Sequence, residues 1–214
     1  MSEPRVVHVV DDDDAVRESA EILLDSAGYE VVPHESGNAF LEVVADARGG
    51  CILLDIHMPG LTGLEVQAEL KSRNLDWPVI VLTGQGDVGI AVQAMKNGAF
   101  EFLEKPYKNE ALLETLEDAF EAFEARTKES SRAAQAKALI ETLTPRELEV
   151  MQALLAGLPN KLIAYELDLS VRTVEIYRAN VMAKLKARGL STAVRIAMAA
   201  GLQPLEERRS ESGR

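Results

Sequence analysis

Cys51-Ile52-Leu53-Leu54-Asp55-Ile56-His57-Met58-Pro59-Gly60 is the stretch whose reading decides the fold. Four consecutive apolar residues ahead of a carboxylate do not alternate as a half-solvated strand would. They read as a strand covered on both faces, the situation in a parallel sheet flanked by helices. Asp55 then stands at the strand's carboxyl end, where Pro59-Gly60 turn the chain away. A carboxylate in that place is costly without a task, so Asp55 is the first candidate functional residue.

Working outward, apolar and β-branched runs recur at residues 5–10, 30–33, 79–83 and 100–104. Helical patterns separate them at 14–27, 63–72, 87–97 and 110–125, with a weaker one at 36–44. In the first, Val16, Ala20, Leu23, Leu24 and Ala27 form one stripe, and Gly28 is a stop signal. Asp14 is the expected cap of that helix, with Asp13 a solvated neighbour. Strand and helix alternating five times predict an α/β doubly wound five-stranded parallel sheet. Function in such sheets gathers at the carboxyl ends of the strands. Those ends carry Asp11 and Asp12, Asp55, Thr83, and Lys105 followed by Pro106. Three converging carboxylates repel one another and call for a cation. A hard, oxygen-liganded ion such as Mg²⁺, with Mn²⁺ as an alternative, suits them. One carboxylate could then act as a nucleophile toward a phosphoryl group, whose oxygens the metal and a lysine would neutralise.

Val-Asp-Asp at 10–12, Leu-Asp-Ile-His-Met-Pro-Gly at 54–60, Thr-Gly at 83–84 and Glu-Lys-Pro at 104–106 together resemble a response-regulator receiver domain of the flavodoxin/CheY-like fold. The resemblance implies that Asp55 is the phospho-acceptor and that Asp11, Asp12, Asp55 and the backbone carbonyl of His57 bind the metal. It implies that Lys105 contacts the phosphoryl group, that Thr83 and Phe102 are the switch pair, and that the Lys105–Pro106 bond is cis. Phe102 could alternatively be plain core. The His57 ring is expected to face solvent, His8 and His34 to have no special role, and Cys51 to be a small buried apolar residue.

The charge of the 214-residue chain, −12 overall, is segregated. Residues 1–130 carry 10 Lys/Arg against 26 Asp/Glu, a net of −16, while residues 131–214 carry 13 against 9, a net of +4. Two modules with different partners follow, and the basic one is the candidate for nucleic acid. The expected division is a receiver at 1–125, a helical linker at 126–139, a DNA-binding domain at 140–204 and a disordered tail at 205–214. The linker reads as one long helix or as a helix followed by a flexible segment, and the absence of Pro and Gly between Pro106 and Thr144 favours the first. No run of about 18 apolar residues and no signal-peptide pattern occurs, and one cysteine excludes an intrachain disulfide. The expectation is a cytoplasmic protein with no membrane partner.

In the second half, Thr144-Pro145-Arg146-Glu147 is a capping box with proline in the first turn. A small all-α domain of four helices is expected: from Thr144 to Ala156, from Lys161 to Leu167, from Val171 to about Ala187 capped by Ser170, and from Ser191 to near Gly201. The second and third form a helix-turn-helix. In the third, Val174, Val181 and Leu185 share the buried face. The opposite face holds Arg172, Glu175, Ile176, Ala179, Ala183 and Lys186. Arg172, Glu175 and Ile176 are placed for base edges, and Arg178, Asn180 and Lys184 for phosphates.

Leu-Thr-Pro-Arg-Glu-Leu-Glu-Val at 143–150, Gly-Leu-Pro-Asn-Lys-Leu-Ile-Ala at 157–164 and Thr-Val-Glu-Ile-Tyr-Arg-Ala-Asn-Val-Met-Ala-Lys-Leu at 173–185 resemble the LuxR-type helix-turn-helix. Asn160, Lys161, Thr173, Tyr177 and Ala179 join the DNA-facing set. With Thr-Gly-Gln-Gly-Asp-Val at 83–88 in the same chain, the whole resembles the FixJ branch of response regulators (the NarL/FixJ group). That implies a two-component transcription regulator and not an enzyme. It implies that a sensor histidine kinase phosphorylates the chain, that the chain forms a homodimer when phosphorylated, and that it binds promoter DNA with two half-sites and acts on RNA polymerase. A phosphate-relay protein with a vestigial basic domain is the competing reading. A metal phosphohydrolase is disfavoured, because no second Asp lies two residues beyond Asp55.

Overall fold

A computed structural model describes residues 4–84 and 88–205. The chain divides into two compact units, Met1–Ala125 and Arg126–Arg214.

The first unit is built as β1 (Val6–Val10), α1 (Asp14–Ser26), β2 (Glu30–His34), α2 (Gly37–Val43), β3 (Cys51–Asp55), α3 (Gly63–Ser72), β4 (Val79–Thr83), α4 (Val88–Asn97), β5 (Glu101–Glu104) and the start of α5 (Asn109–Ile140). The five strands are parallel in the order β2-β1-β3-β4-β5. β1, β3 and β4 are buried along their whole length, as their nearly continuous apolar runs predict. Two cores sandwich the sheet. One contains Phe40, Ile52, Leu54 and Val66; the other contains Leu24, Leu53, Leu112 and Phe120. Cys51 belongs to the second and is fully buried, which pushes its thiol pKa up.

Local chemistry corrects several expected boundaries. The cap of α1 is Asp13, whose carboxylate accepts from the N–H groups of Ala15 and Val16; Asp14 is instead the first helical residue. A cap sits just before the first helical residue with an extended backbone, and Asp13 has that conformation. Phe102 is not core, since it is 41% exposed on β5. The expected start of α4 at Asp87 lies outside the described residues, as do Gln85 and Gly86 of the 83–88 motif.

His8 and His34 are both buried, contrary to the bland expectation. Their rings meet with Nδ1 of His8 3.1 Å from Nε2 of His34. His8 also stacks on Trp77, and Phe40 packs against both imidazoles. Nε2 of His8 lies 3.0 Å from the Arg48 carbonyl, which only accepts, so that nitrogen carries the proton. Burial disfavours the cation of both rings. With His8 neutral, its Nδ1 is bare and His34 donates from Nε2, so two neutral rings form one directional chain of Nε2–H tautomers.

α5 runs unbroken for 32 residues, as the absence of Pro and Gly predicts. The unit boundary falls inside it. The second unit contains α6 (Pro145–Leu155), α7 (Asn160–Glu166), α8 (Val171–Lys184) and α9 (Leu190–Ala199). The Thr144–Glu147 capping box is present in both directions, and Ser170 caps α8 through the Thr173 N–H. α8 ends at Lys184 rather than near Ala187, because the Lys186 backbone turns left-handed at φ 51°. Val174, Val181 and Leu185 are buried together with Val150, Met151 and Ile163. Leu205, expected to begin the tail, instead packs on this core, and its N–H donates to the Gln152 carbonyl at 3.0 Å. The rest of that expected tail lies outside the described residues.

Candidate functional site

The in-register parallel sheet brings its carboxyl ends to one rim. Asp11 follows β1, Asp55 ends β3, Thr83 ends β4 and Lys105 follows β5. Asp11, Asp55 and Thr83 are buried and Asp12 is exposed. Asp11, Asp12 and Asp55 each offer a carboxylate oxygen, all within 4.8 Å of one another. Nζ of Lys105 lies 2.7 Å from Oδ2 of Asp11 and 2.7 Å from Oδ1 of Asp55. Burial pulls the pKa of Lys105 down, but those two carboxylates outweigh it and the net shift is upward. The ammonium is therefore a fixed positive charge at the rim. The Lys105–Pro106 bond is cis.

Backbone completes the setting of Asp55. Its Oδ2 accepts the His57 N–H at 2.9 Å. A Cβ on Gly63 would lie 2.4 Å from the Asp55 carbonyl oxygen, so only glycine lets the first turn of α3 approach this closely. The neighbouring Thr62–Glu65 capping box fixes where that helix begins. Tyr107 is half-buried beside Lys105, and burial pushes its phenol pKa up.

Three carboxylates, two of them paired with one lysine, make a donor set of hard oxygens with excess negative charge. That composition fits an octahedral, oxygen-seeking dication.

On the second unit, α8 turns Arg172, Glu175, Ile176, Ala179, Asn180 and Ala183 outward, while Lys186, expected on the same face, is exposed beyond the end of the helix. Thr173, Tyr177 and Arg178 are half-buried, and Tyr177 packs against the core. Lys161 is exposed on α7, and Asn160, at its start, accepts from the Arg178 guanidinium. Lys184 departs from its expected place among the phosphate contacts. Its Nζ lies 2.6 Å from Oε2 of buried Glu147 and 3.1 Å from the Thr142 carbonyl, so it ties α8 to the start of α6.

A family model described as the response regulator receiver domain matches residues 7–117. One described as bacterial regulatory proteins, luxR family, matches residues 141–197. The chain is 45% identical to the transcriptional regulatory protein FixJ of Bradyrhizobium diazoefficiens, over 92% of this chain and 96% of that protein. The chain belongs to the FixJ-type response regulators. Solved structures agree. The response regulator StyR superposes with a TM-score of 0.82 at 39% identity, over 92% of this chain and 99% of that one. Full-length FixJ from B. japonicum gives 0.60 at 44% identity, over 94% and 99%.

This response regulator is thus a two-component transcription regulator with a receiver domain and a LuxR-type DNA-binding domain. Receiver domains bind Mg²⁺ at an acidic pocket, which the Asp11–Asp12–Asp55 cluster matches. Sequence reasoning missed the supports of the site rather than its members. The start of α3 at Gly63 was expected, but the close approach of Gly63 to the Asp55 carbonyl was not. Arg17 carries no motif signal at all, yet its Nη1 donates to the Asp11 carbonyl at 2.6 Å.

Proposed function

We propose that a sensor histidine kinase phosphorylates this regulator on Asp55, that phosphorylation pairs two receivers, and that the dimer binds a promoter with two half-sites. The observation that carries the reading is the Lys105 ammonium bridging Asp11 and Asp55 beside Asp12. A carboxylate nucleophile needs neighbours that neutralise charge on the transferring phosphoryl oxygens, and Lys105 supplies one. The phosphorus–nitrogen bond of phosphohistidine breaks as a bond from phosphorus to an Asp55 oxygen forms. Asp11, Asp12, Asp55 and the His57 carbonyl would hold Mg²⁺ or Mn²⁺, which when bound screens the same oxygens. The protein acts once per phosphoryl group and turns over no free substrate.

Thr83 donates its hydroxyl to the new phosphate. Phe102, exposed on β5, responds by changing the α4–β5 surface, on which Val92, Met95 and Phe102 are exposed. A second receiver covering this patch gives a two-fold assembly that matches a two-fold site in DNA. Arg172, Glu175 and Ile176 then face base edges, with Thr173 and Ala179 beside them in the groove. Arg178, Asn180, Tyr177, Asn160 and Lys161 meet phosphates. Lys184 holds α8 in place and contributes its charge only if it leaves Glu147. Transcription is activated through RNA polymerase, in the cytoplasm. Among the described residues no helix is long and apolar enough to cross a membrane, which accords with that location.

Size-exclusion chromatography with light scattering, with and without Mg²⁺ and beryllofluoride, tests the central step. A monomer-to-dimer shift is expected in the wild type and not in Asp55→Asn. No shift despite confirmed beryllofluoride binding would refute phosphorylation-driven pairing.

A further inference from the structure

We propose that Arg17, on the first turn of α1, is the positioning residue of the acidic site. It clamps the Asp11–Asp14 turn so that Asp11 and Asp12 meet a metal ion. The inference rests on the assignment of that cluster to Mg²⁺. Every polar group of Asp11 is engaged. Its N–H donates to the His34 carbonyl at 3.3 Å, its Oδ1 accepts the Asp13 N–H at 3.0 Å, and its Oδ2 meets Lys105. Its carbonyl accepts from Nη1 of Arg17 at 2.6 Å. The other arm of the same guanidinium, Nη2, pairs with Asp14.

One planar fork thus spans the turn from its first residue to its last, and the Arg17 side chain is only 13% exposed while doing so. Asp12 lies inside the span. Its backbone is fixed at both sides although its own side chain is exposed. Asp13 is committed to capping α1, so it cannot substitute as a ligand. Rigid α1 carries Arg17, and the turn inherits that rigidity.

The two things Arg17 could do for Mg²⁺ have opposite signs. As a mere charge near three carboxylates it opposes a dication, and removing it would tighten binding. As a clamp it preorganises the ligands, and removing it loosens binding. Partners that orient metal ligands typically account for about 10–100-fold in affinity. Lysine keeps the charge but cannot reach the Asp11 carbonyl and Asp14 with one rigid fork.

The test measures Mg²⁺ affinity of the full-length wild type, Arg17→Lys, Arg17→Gln and Asp14→Asn by calorimetry, with no phosphodonor present. Thermal unfolding checks that each variant is folded. The clamp predicts roughly tenfold weaker binding in both Arg17 variants and a smaller loss in Asp14→Asn, which breaks only the outer arm. Unchanged affinity in Arg17→Lys, or tighter binding in Arg17→Gln, overturns it. A fall in melting temperature with unaltered affinity also overturns it, since that is a structural role only. Should the wild type itself bind no Mg²⁺, the reading of the acidic cluster fails instead.

Discussion

Lowering the pH should unlock the buried His8–His34 pair, and the magnitude follows from its burial. Burial, with the nearby His8 ring adding to it, lowers the pKa of His34 from an ordinary 6.5 to about 4. Burial also lowers His8, against the Arg48 carbonyl and Glu30, which favour its cation. Glu30 is itself paired with Arg48 at 3.0 Å, so no spare carboxylate from that ion pair is left to stabilise a charged ring. The folded value lies below the unfolded one, so the fold prefers the neutral ring. That contribution is complete above about pH 6.5 and is lost as pH falls toward about 4. The full gap is worth roughly 3 kcal/mol, of which about 2 kcal/mol is gone by about pH 5. A proton on His8 would also turn its Nδ1 into a donor facing the His34 donor.

Trp77, the sole tryptophan, stacks on His8 and reports unfolding of this domain. Urea titrations followed by its fluorescence at about pH 7.5 and about pH 5 would compare the wild type with His8→Val/His34→Leu. Carboxylates titrate in both proteins and cancel. The wild type should lose at least about 2 kcal/mol more than the variant over that interval, the share of His34, with His8 adding to it in the same direction. Parallel losses would refute the argument that the rings are neutral and locked.

Other outcomes follow from the same geometry. Lys184→Met leaves the buried Glu147 carboxylate without its ammonium and should destabilise the DNA-binding domain by about 1–3 kcal/mol in chemical denaturation. Leu185→Ala, at a fully buried position, should cost about 2–5 kcal/mol in the same assay. Arg178→Ala should lower the slope of log affinity against log salt by about one phosphate contact, with sequence preference retained. Arg172→Ala should instead relax base discrimination in a competition with altered half-sites, by about 1–3 kcal/mol at the affected pair.

The elements of both domains were legible because period and order carry them. Nearly continuous apolar strands, a capping box at Thr144 and a stop glycine at 28 are local signals read within a few residues. The members of the acidic rim were legible for the same reason: each ends a recognisable strand. What escaped depends on contacts between distant positions. The cap of α1 was misassigned because four consecutive aspartates offer the same chemistry, and only backbone conformation distinguishes Asp13 from Asp14. Nothing in a sequence indicates that His8 and His34 meet across neighbouring strands. Lys184 looked like a phosphate contact because a lysine on a recognition helix usually is one, and its partner lies 37 residues away. Phe102 was open between core and surface because β5 is an edge strand, where alternation no longer decides burial.

The two oxygens of Asp55 face two donors, the Lys105 ammonium and the His57 N–H. Asparagine matches aspartate in shape but offers one acceptor and one donor, so whichever way its amide turns, an N–H₂ group confronts another donor. It also removes one of the three clustered negative charges. A phenotype of Asp55→Asn therefore includes an altered resting site, whatever the substitution does to phosphorylation. The reference for the proposed phosphorylation of this regulator is the wild-type chain without a phosphodonor.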